Sequence, residues 1–546
     1  MTFGNRKFAG FLGAATVVIV AEYVLVLSDC VISGRVLGET ALGAMNLLMP
    51  VFSTVSFFTW LLAVGTSIVY SEAIGRTEAD QAAKLAGQGL VAAVFLGLVL
   101  VAATWCLETP YLAFMAPDER TMAFSGQYWQ WYPLIVILES VDLLLLYLVY
   151  TDGGELACLY SYVGQVIVNI GLSYFLCART SLGMGGISLG TVFAYVVGIV
   201  ALLPHLFSQS CHLRFRPAFL PRDFVRSLKS SFGDASAGLF HALLFFVITK
   251  YVLYYWGSET LPITAVVFCI VRLTVFFNGV GIALQPLETV YYGEDNPTAI
   301  AKLIHFAAAV SVMEGVVISA VIFIAPELII GLVGISEPDL VVAAKRAARL
   351  TVAGLSGYAV AYMLNSHYQY VGRPDRSVKL TALAFFVVPV VLVVALGKII
   401  GMDGVWLAVA AGPACALASF LPLLKRERSE GVLPMVRTVK LWKPGKIAAV
   451  QAELRQKLKR EGVESEEAVA VLGRALKQIR AANEGRKVSV EQTIDLRNGL
   501  RIVLRDDGRD FALTLGAGVE VVHMPAAGFN RNILVLSGKL FGILRN

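Results

Sequence analysis

Four carboxylates in the first 206 residues lie inside long apolar stretches, namely Glu22, Asp29, Glu139 and Asp142. A charged side chain at the centre of a bilayer costs roughly 2.5–3.5 kcal/mol on insertion scales, so residues that bear this cost are candidates for function. A carboxylate in such surroundings suits the uptake and release of a proton, and an organic cation could compete for the same charge.

The spacing of these acids separates their predicted roles. Glu22 and Asp29 are seven residues apart, so they share one helix face and lie about 10 Å apart along it. Glu139 stands near the middle of its stretch, and Asp142 follows nearly one helical turn later. We interpret the first three as candidate cation sites and Asp142 as a packing or hydration residue.

The second half of the apolar region carries charges of both signs: Lys250, Arg272, Glu288 and Glu314. Arg272 and Glu314 stand at the middle of adjacent stretches, and the simplest interpretation is that they pair with each other. Lys250 and Arg272 are also candidates to contact a cargo.

Polar amides and aromatic rings complete the candidate binding residues. Amides inside membrane helices commonly join neighbouring helices, and aromatic rings attract cations to their faces. Trp60, Tyr174, Tyr254 and Phe277 are further aromatic candidates. The predicted substrate-binding set is Tyr23, Gln165, Lys250, Arg272, Gln285, Asn365 and Gln369.

The composition explains why so few charges stand out. Of the 546 residues, 57% are hydrophobic and 15% are charged, whereas soluble domains carry roughly 25% charged residues. A soluble enzyme, a disordered protein and a disulfide scaffold are excluded as descriptions of the whole chain. The cysteines and histidines show no spacing typical of a metal site, and we predict neither an enzyme nor a bound cofactor.

Twelve stretches are long and apolar enough to cross a bilayer. An even number places both ends of the region on one side, and sixteen Lys and Arg in the loops of that side against seven on the other favour a cytoplasmic location for both termini. The twelve stretches are 8–33, 46–70, 84–106, 127–150, 158–178, 182–206, 231–256, 262–285, 303–325, 350–370, 378–400 and 404–424.

A basic loop divides the stretches into six and six, and matched segments after the second and eighth indicate a parallel repeat. We therefore predict an all-α polytopic membrane protein of two six-helix bundles with pseudo-twofold symmetry, followed by a small α+β domain. The predicted units are an N-lobe (1–206), an inter-lobe loop (207–230), a C-lobe (231–425), a linker (426–445) and a soluble domain (446–546).

Several of these stretches resemble, in order and spacing, the multidrug and toxic compound extrusion (MATE) family of transporters. They include SDCVISGRVLGETALGAMNLLMP (28–50), GTSIVYSEAIGR (65–76), GIALQPLETVYYG (281–293), HYQYVGRP (367–374) and GMDGVWLA (401–408). Asp29 falls on the family's first-helix Asp. The resemblance covers residues 1–425.

The resemblance implies two bundles that rock about each other and export organic cations in exchange for protons or sodium ions. It implies a monomer in the plasma (inner) membrane, with a small-molecule cargo and the lipid bilayer as its partners. H⁺ or Na⁺ is then the coupling ion. We expect no nucleic-acid partner, because the basic residues are interspersed with other residues rather than grouped in one continuous block.

One position departs from the family pattern. Many members carry an Asn in the fifth helix followed four residues later by an Asp, and both face the first-helix Asp. Here Asn169 is present, but the later position is Ser173. We hypothesise that Glu22 or Glu139 supplies the missing acid, so that the predicted coupling set is Asp29, Glu22, Glu139, Asn169 and Ser173.

The last 116 residues differ in composition from the rest. They carry 20 Lys and Arg against 12 Asp and Glu, a net charge of +8, whereas residues 1–430 have a net charge of −2. Helices are predicted over 446–482 with a break near Gly462. The alternation in 491–515 around Asn498-Gly499 predicts a hairpin.

This domain resembles the histidine-kinase/anti-sigma (GHKL) type of ATP-binding fold, with Asp506 and Gly508 in its nucleotide-binding turn. Arg474 and Gln478 stand where that fold has its Glu and Asn, so the domain is degenerate. An equally simple interpretation is a surface β-turn at Asp506. We expect a regulatory domain that binds a cytoplasmic protein or a nucleotide.

Three functions remain open from the sequence. The leading one is a secondary antiporter built around the acids of the first half. A flippase for a lipid-linked precursor is the first alternative, since related families share the architecture and Lys250 and Arg272 suit a pyrophosphate. A membrane sensor that signals through its C-terminal domain is the second.

Overall fold

The computed structural model describes most of the chain. The residues it describes are 3–115, 119–208, 211–257, 260–333, 337–427, 435–440, 446–460, 466–484, 486, 488–495, 501–508, 511–515, 519–525 and 530–536. They form a large helical body and a small mixed domain, as expected.

The first half of the body, the N-lobe, contains seven helices. They are α1 (Phe3–Ile32), α2 (Glu39–Gly75), α3 (Ala79–Met115), α4 (Glu119–Trp129), α5 (Tyr132–Thr151), α6 (Glu155–Arg179) and α7 (Met184–Leu206). A single π-helical turn, Ser33–Leu37, joins α1 to α2.

The second half, the C-lobe, contains ten helices among the residues described. They are α8 (Pro221–Trp256), α9 (Leu261–Leu273), α10 (Asn278–Gly293), α11 (Pro297–Ile324), α12 (Glu327–Val333), α13 (Pro338–Val352), α14 (Leu355–Tyr370), α15 (Pro374–Ala382), α16 (Val388–Ile400) and α17 (Met402–Glu427). A 3-10 turn continues α9 into α10, and a π-helical turn continues α15 into α16.

The predicted membrane spans match these helices. Within the described ranges, ten helical segments are long and apolar enough to cross a membrane. Helix α1 occupies the first predicted span, and α14, which a short break separates from α13, occupies the tenth. Ten of the twelve predicted stretches therefore overlap a segment that meets these criteria, and the first and tenth overlap α1 and α14.

Two predicted boundaries are wrong. The stretch 127–150 is not one helix, because α4 ends at Trp129 and α5 begins at Tyr132. Pro133 lies in the first turn of α5, where proline is favoured because the amide hydrogen that it lacks would have no partner within the helix. The inter-lobe loop 207–230 is shorter than predicted. Helix α8 begins at Pro221, with Asp223 in its first turn, and an acid there favours a helix start.

The described C-terminal residues form a five-stranded antiparallel sheet with two helices, called the tail domain below. Its elements are β1 (Met435–Lys440), α18 (Lys446–Arg460), α19 (Glu466–Ala482), β2 (Ser489–Asp495), β3 (Arg501–Asp506), β4 (Val519–His523) and β5 (Asn530–Leu536). The strand order is β1-β2-β3-β5-β4.

The sheet confirms part of the sequence interpretation and corrects another part. Strands β2 and β3 pair from Asp495 with Arg501 onward, which is the predicted hairpin. Helices α18 and α19 lie on either side of the predicted break. However, β1 falls inside the stretch 426–445 that was predicted to be a linker, and it pairs with β2 along its whole length. The sheet therefore begins before residue 446.

Each face of this sheet is covered by a different partner. Side chains such as Ile494, Ile502 and Leu534 pack against α18 and α19 in one apolar core. The alternate side chains, including Arg505 and Arg531, point to the helical body and are fully buried. Both faces are buried because the tail domain lies against the end of the helical body that carries the start of α1, here called the tail side.

Candidate functional site

Asp29 lies near the end of α1 and is buried, with 6% of its surface exposed. One carboxylate oxygen accepts a hydrogen bond from Asn169 Nδ2 at 3.2 Å. The other accepts from Thr191 Oγ1 at 3.1 Å and from Tyr128 OH at 3.3 Å. Its three hydrogen-bond donors, from α4, α6 and α7, are all uncharged.

Neighbouring groups hold Asn169 in the orientation that serves Asp29. The Asn169 side-chain oxygen accepts from Ser28 Oγ at 2.7 Å, and its amide also donates to Thr191 Oγ1 at 3.0 Å. The amide is therefore fixed with its nitrogen toward the carboxylate. The π-helical turn Ser33–Leu37 follows Asp29 by one turn, and such turns frequently occur at functional sites.

Ser173 is not part of this cluster. Its hydroxyl donates to the Ile187 carbonyl at 3.1 Å, and its backbone and side chain pack closely against Gly190. The residue therefore joins α6 to α7. At the position where many relatives have an acid, this chain has a helix-packing contact.

Glu139 and Asp142 have separate partners in the N-lobe. Glu139 on α5 accepts from Ser56 at 2.8 Å and from Thr59 at 3.3 Å, both on α2. Asp142 accepts from Gln165 Nε2 at 3.1 Å, and its other oxygen has no hydrogen-bond partner within the described part of the chain. Gln165, predicted to bind substrate, is thus fully buried between helices.

Two predicted residues lie outside this description. The backbone of Glu22 and Tyr23 belongs to α1, but their side chains are outside the described residues.

The C-lobe has its own buried polar network. Glu288 on α10 pairs with His367 on α14. Asn365, also on α14, accepts from the hydroxyls of Ser377 and Thr381 on α15. When the Gln369 amide is oriented so that its oxygen and its nitrogen both have partners, its oxygen accepts a hydrogen bond from Asn365 Nδ2. Asn365 and Gln369, predicted as substrate residues, therefore hold α14 to its neighbours.

Polar side chains of the two lobes meet near the middle of the body, and two of these side-chain pairs involve candidate residues. Gln285 on α10 donates to Ser67 on α2. Trp60 on α2 donates to Asp234 on α8 at 2.9 Å. Trp60 also packs edge-to-face on Tyr147, with ring centroids 5.5 Å apart. A carboxylate and aromatic rings therefore meet at the junction of the lobes.

The predicted basic residues lie elsewhere. Lys250 and Arg272 are exposed on the surface of the C-lobe, and Lys250 Nζ lies 5.9 Å from the Phe246 ring. The expected ion pair between Arg272 and Glu314 does not form. Among the described residues, Glu314 Oε2 is buried and has no hydrogen-bond partner.

Sequence reasoning missed Tyr128, Thr191 and Asp234. Hydroxyls are common in apolar helices, so no local pattern marked the first two. Asp234 stands only three residues inside the predicted span 231–256, so the apolar pattern did not mark it as a charge inside a helix. Because α8 begins at Pro221, Asp234 in fact lies more than three turns inside a helix.

One group in the described ranges has the composition of a metal site. The ligand atoms of Asp152, His205 and Cys211 lie within 4.8 Å of one another. However, Asp152 Oδ2 already accepts from the His205 ring at 3.1 Å and from the His212 amide at 3.0 Å. The arrangement anchors the inter-lobe loop to the ends of α5 and α7.

In the tail domain, Asp506 forms a turn with its own neighbours. Its Oδ1 accepts from the Gly508 amide at 2.9 Å and from Asn530 Nδ2 at 3.1 Å. Burial raises the pKa of Asp506 to about 6. These contacts fit the turn interpretation, and nucleotide binding at Asp506 and Gly508 stays a prediction.

The helical body matches a known family. The family model described as MatE matches residues 14–175 and 236–394, which is more than half of the chain. The chain belongs to the MatE family. The two matched stretches fall one in each lobe, and the site around Asp29 lies in the first. As a member of a transporter family, the protein is not an enzyme.

One relative is named as a probable multidrug resistance protein, YoeA, from Bacillus subtilis (strain 168). It is 24% identical over 191 residues, which cover 33% of this chain. The match spans 40% of the length of that relative.

Solved structures of MatE-like transporters share the fold. A MOP superfamily transporter from Pyrococcus furiosus has a TM-score of 0.70 at 17% identity, over 78% of this chain and 96% of that one. The Vibrio cholerae MATE transporter VcmN in its bent form has a TM-score of 0.70 at 18% identity, over 78% of this chain and 97% of its own.

Proposed function

We propose that this chain is a secondary antiporter that exports small organic cations by alternating access in exchange for H⁺ or Na⁺. The observation that carries the proposal is the surroundings of Asp29. A buried carboxylate whose three donors are all neutral keeps its negative charge available. A cation that enters the site can neutralise that charge, and it can leave again because no described basic residue forms an ion pair with Asp29.

The conformation supports alternating access. The lobes meet on the tail side, where the end of α2 packs against α8 and α10 so closely that a Cβ on Gly65 would overlap the Ser227 carbonyl. Asp29 is 23 residues along α1 from Arg6, or roughly 35 Å at 1.5 Å per residue. The coupling site is therefore far from the closed end.

The lobe junction supports an aromatic, positively charged cargo. Trp60 is partly exposed there beside the buried ring of Tyr147, and Asp234 adds a carboxylate. A cation over an aromatic ring gains about 0.5–2 kcal/mol, depending on how far it is desolvated. The relative named as a probable multidrug resistance protein is consistent with export of this class.

The test is counterflow in proteoliposomes, with a panel of organic cations under an imposed pH or sodium gradient. Asp29→Asn keeps the size of the side chain and removes its charge, so we expect gradient-driven transport to fall at least a hundredfold (~3 kcal/mol). The matched control is Asp80→Asn, because Asp80 is an exposed acid in ion pairs with Lys84 and Arg216.

Two outcomes would overturn the proposal. Full gradient-driven transport by Asp29→Asn would remove the coupling role of that residue. Transport that depends on Asp29 but ignores both gradients would remove antiport as the mechanism.

The same assay also tests the sign of the charge on the cargo. Lys250 and Arg272 are exposed and form no ion pair with a described acid, so they are the charges that an anionic cargo such as a lipid-linked pyrophosphate would need. Movement of that class, without movement of organic cations, would select the flippase alternative.

A further inference from the structure

The tail domain lies across the junction of the two lobes. From β5, Arg531 donates to the backbone carbonyls of Ile74 and Gly75, at the end of α2 in the N-lobe. The same guanidinium bonds Glu294 at 3.1 Å, directly after α10 in the C-lobe. One buried side chain therefore holds both lobes at once.

The lobes touch directly beneath this contact. Gly75 at the end of α2 packs against Gly293 at the end of α10, and a Cβ on either residue would overlap the backbone of the other helix. Any opening of the tail side must separate these two helix ends. Arg531 cannot keep its bonds to both when they part.

The charges on the sheet indicate that this docking is built into the domain. Glu491, Arg505 and Arg531 stand side by side on β2, β3 and β5. Like charges directly opposite on neighbouring strands are destabilising. Glu491 on the sheet pairs with Arg505 at 3.2 Å, and the remaining counter-charge comes from the helical body, because Glu294 forms ion pairs with both arginines.

The bonds to the two lobes differ in strength. On the C-lobe side, the domain has the buried acid Glu294, a bond from Tyr291 to Glu491 at 3.0 Å and a bond from Asn296 to Thr493 at 3.1 Å. On the N-lobe side, Arg531 bonds two backbone carbonyls, Glu491 accepts from the Gly4 backbone amide, and Arg6, which is exposed, pairs with Asp507. The domain should therefore stay with the C-lobe and leave the N-lobe.

We propose that the tail domain is an inter-lobe latch: it stabilises the conformation closed on the tail side, and transport requires Arg531 to release the end of α2. This inference rests on the proposed function, since a latch regulates only a protein whose lobes move. It assigns the domain a role in setting the rate of opening, with no need for nucleotide.

The latch is tested by the chemical accessibility of the lobe junction. Ser71 lies one turn before Gly75 on α2, is 2% exposed, and its hydroxyl has no hydrogen-bond partner among the described residues. Ser71→Cys is therefore a near-isosteric probe that reacts with a water-soluble thiol reagent when the tail side opens. Mass spectrometry follows each peptide, and buried Cys158 and Cys177 serve as internal references.

In the full-length chain in proteoliposomes, we expect Arg531→Gln and Glu294→Gln each to accelerate labelling at residue 71 about tenfold. This change corresponds to a loss of ~1.4 kcal/mol in the stability of the closed conformation relative to the open one. Arg455→Gln is the matched control, because it breaks an ion pair with Glu466 that is exposed on the same domain. It should leave the labelling rate within about twofold.

A third variant covers the case in which removal of a buried charge unfolds the domain. Thr493→Val keeps the shape of the side chain and loses the bonds from Asn296 and Arg505, so we expect about threefold faster labelling. Hydrogen exchange of the β2–β3 hairpin identifies variants in which the domain is still folded.

Parent-like labelling in folded Arg531→Gln and Thr493→Val chains would overturn the latch. The labelling assay needs no cargo, so its result is separate from the proposed function. Faster labelling without Asp29-dependent transport would keep the latch and reject the antiporter. Asp29-dependent transport with unchanged labelling would do the reverse.

Discussion

Two buried carboxylates at opposite ends of the body have different partners. Asp29 is surrounded by an amide and two hydroxyls, whereas Glu294 on the tail side is bound by two arginines. Both acids are almost completely buried. The difference lies in the charge of the donors.

This difference sets what each acid can do. Neutral donors stabilise a carboxylate without cancelling its charge, so Asp29 can exchange one cation for another. Arginine is always protonated, so Glu294 has a permanent counter-charge and acts as a structural link. Under the two proposals, the same chemical group serves exchange at one end of the protein and closure at the other.

The largest expected effect comes from the removal of charge at Glu294. Glu294→Gln leaves buried Arg531 with a neutral partner and Arg505 with Glu491 alone, and breaking a buried ion pair costs about 3–5 kcal/mol. Asp29→Asn should lower the free energy of unfolding by less than about 1 kcal/mol, since the neighbouring hydroxyls can donate hydrogen bonds to the new amide or accept them from it. Urea unfolding of the full chain, followed by pulse proteolysis of the tail domain, measures the first value. Thermal unfolding of the helical body measures the second.

Equal stability losses at the two positions would contradict the comparison. Glu466→Gln, which removes an exposed acid from the tail domain, is the control for a surface charge.

The next effect concerns pH. Asp506 is a buried acid in the tail domain whose hydrogen-bond donors, like those of Asp29, are neutral, and burial raises its pKa to about 6 from an ordinary value near 3.8. The folded domain therefore holds the Asp506 proton more tightly than the unfolded chain does. This contribution to stability is complete below about pH 4 and is lost as the pH rises through 6.

We expect the domain to lose about 2–3 kcal/mol from this group between pH 4 and pH 7. Asp506→Asn should remove that loss, and urea midpoints by pulse proteolysis across this range measure it. A slope that Asp506→Asn leaves unchanged would assign the pH dependence to another group.

A third prediction tests the closed junction without changing any charge. Gly75→Ala places a Cβ against Val290 and Gly293 on α10, and overpacking of this kind costs about 1–3 kcal/mol. The tail side should open more often, and the introduced thiol of Ser71→Cys should react faster. Gly171→Ala on α6 is the matched control, because a Cβ there meets nothing within 4 Å. Slower labelling in Gly75→Ala would show that the helix ends do not separate on opening.

The smallest effect comes from a single donor at the exchange site. Thr191→Val keeps the shape of the side chain and removes one hydrogen bond to Asp29, a loss of about 1–2 kcal/mol for a charged acceptor. We expect the concentration of coupling cation needed for half-maximal transport to change about tenfold, with the maximal rate changed less. The hydroxyl of Thr54 on α2 bonds only its own helix, so Thr54→Val is the control, and an equal effect there would contradict a specific role for Thr191.

Much of the body could be predicted from the sequence, because a bilayer forces apolar residues into helices of known length. Asp29 and Asn169 were found because a costly charge and a family pattern coincide at one position. Tyr128 and Thr191 could not be found, since they come from other helices and carry no local signal. Asp234 was missed because the polar start of α8 continues the helix beyond the apolar stretch.

The docking of the tail domain also lay beyond sequence reasoning. Alternation in β2 and β3 predicted the hairpin correctly, but Arg505 and its partner Glu294 are 211 residues apart. No pattern in either segment identifies the other. The burial of every residue from Ile502 to Asp506 is the structural sign that both faces of the strand are covered.

The row of two arginines also sets an order of assembly. Arg505 and Arg531 lie on neighbouring strands, and the acid that pairs with both belongs to a connection between membrane helices. Glu491 on β2 pairs with Arg505, so the sheet keeps one arginine charge without an acid partner in this row until it docks on the connection between α10 and α11. The tail domain reaches its full stability only on a correctly assembled body, so a misfolded membrane region would leave an unstable C-terminal segment that quality-control proteases can recognise.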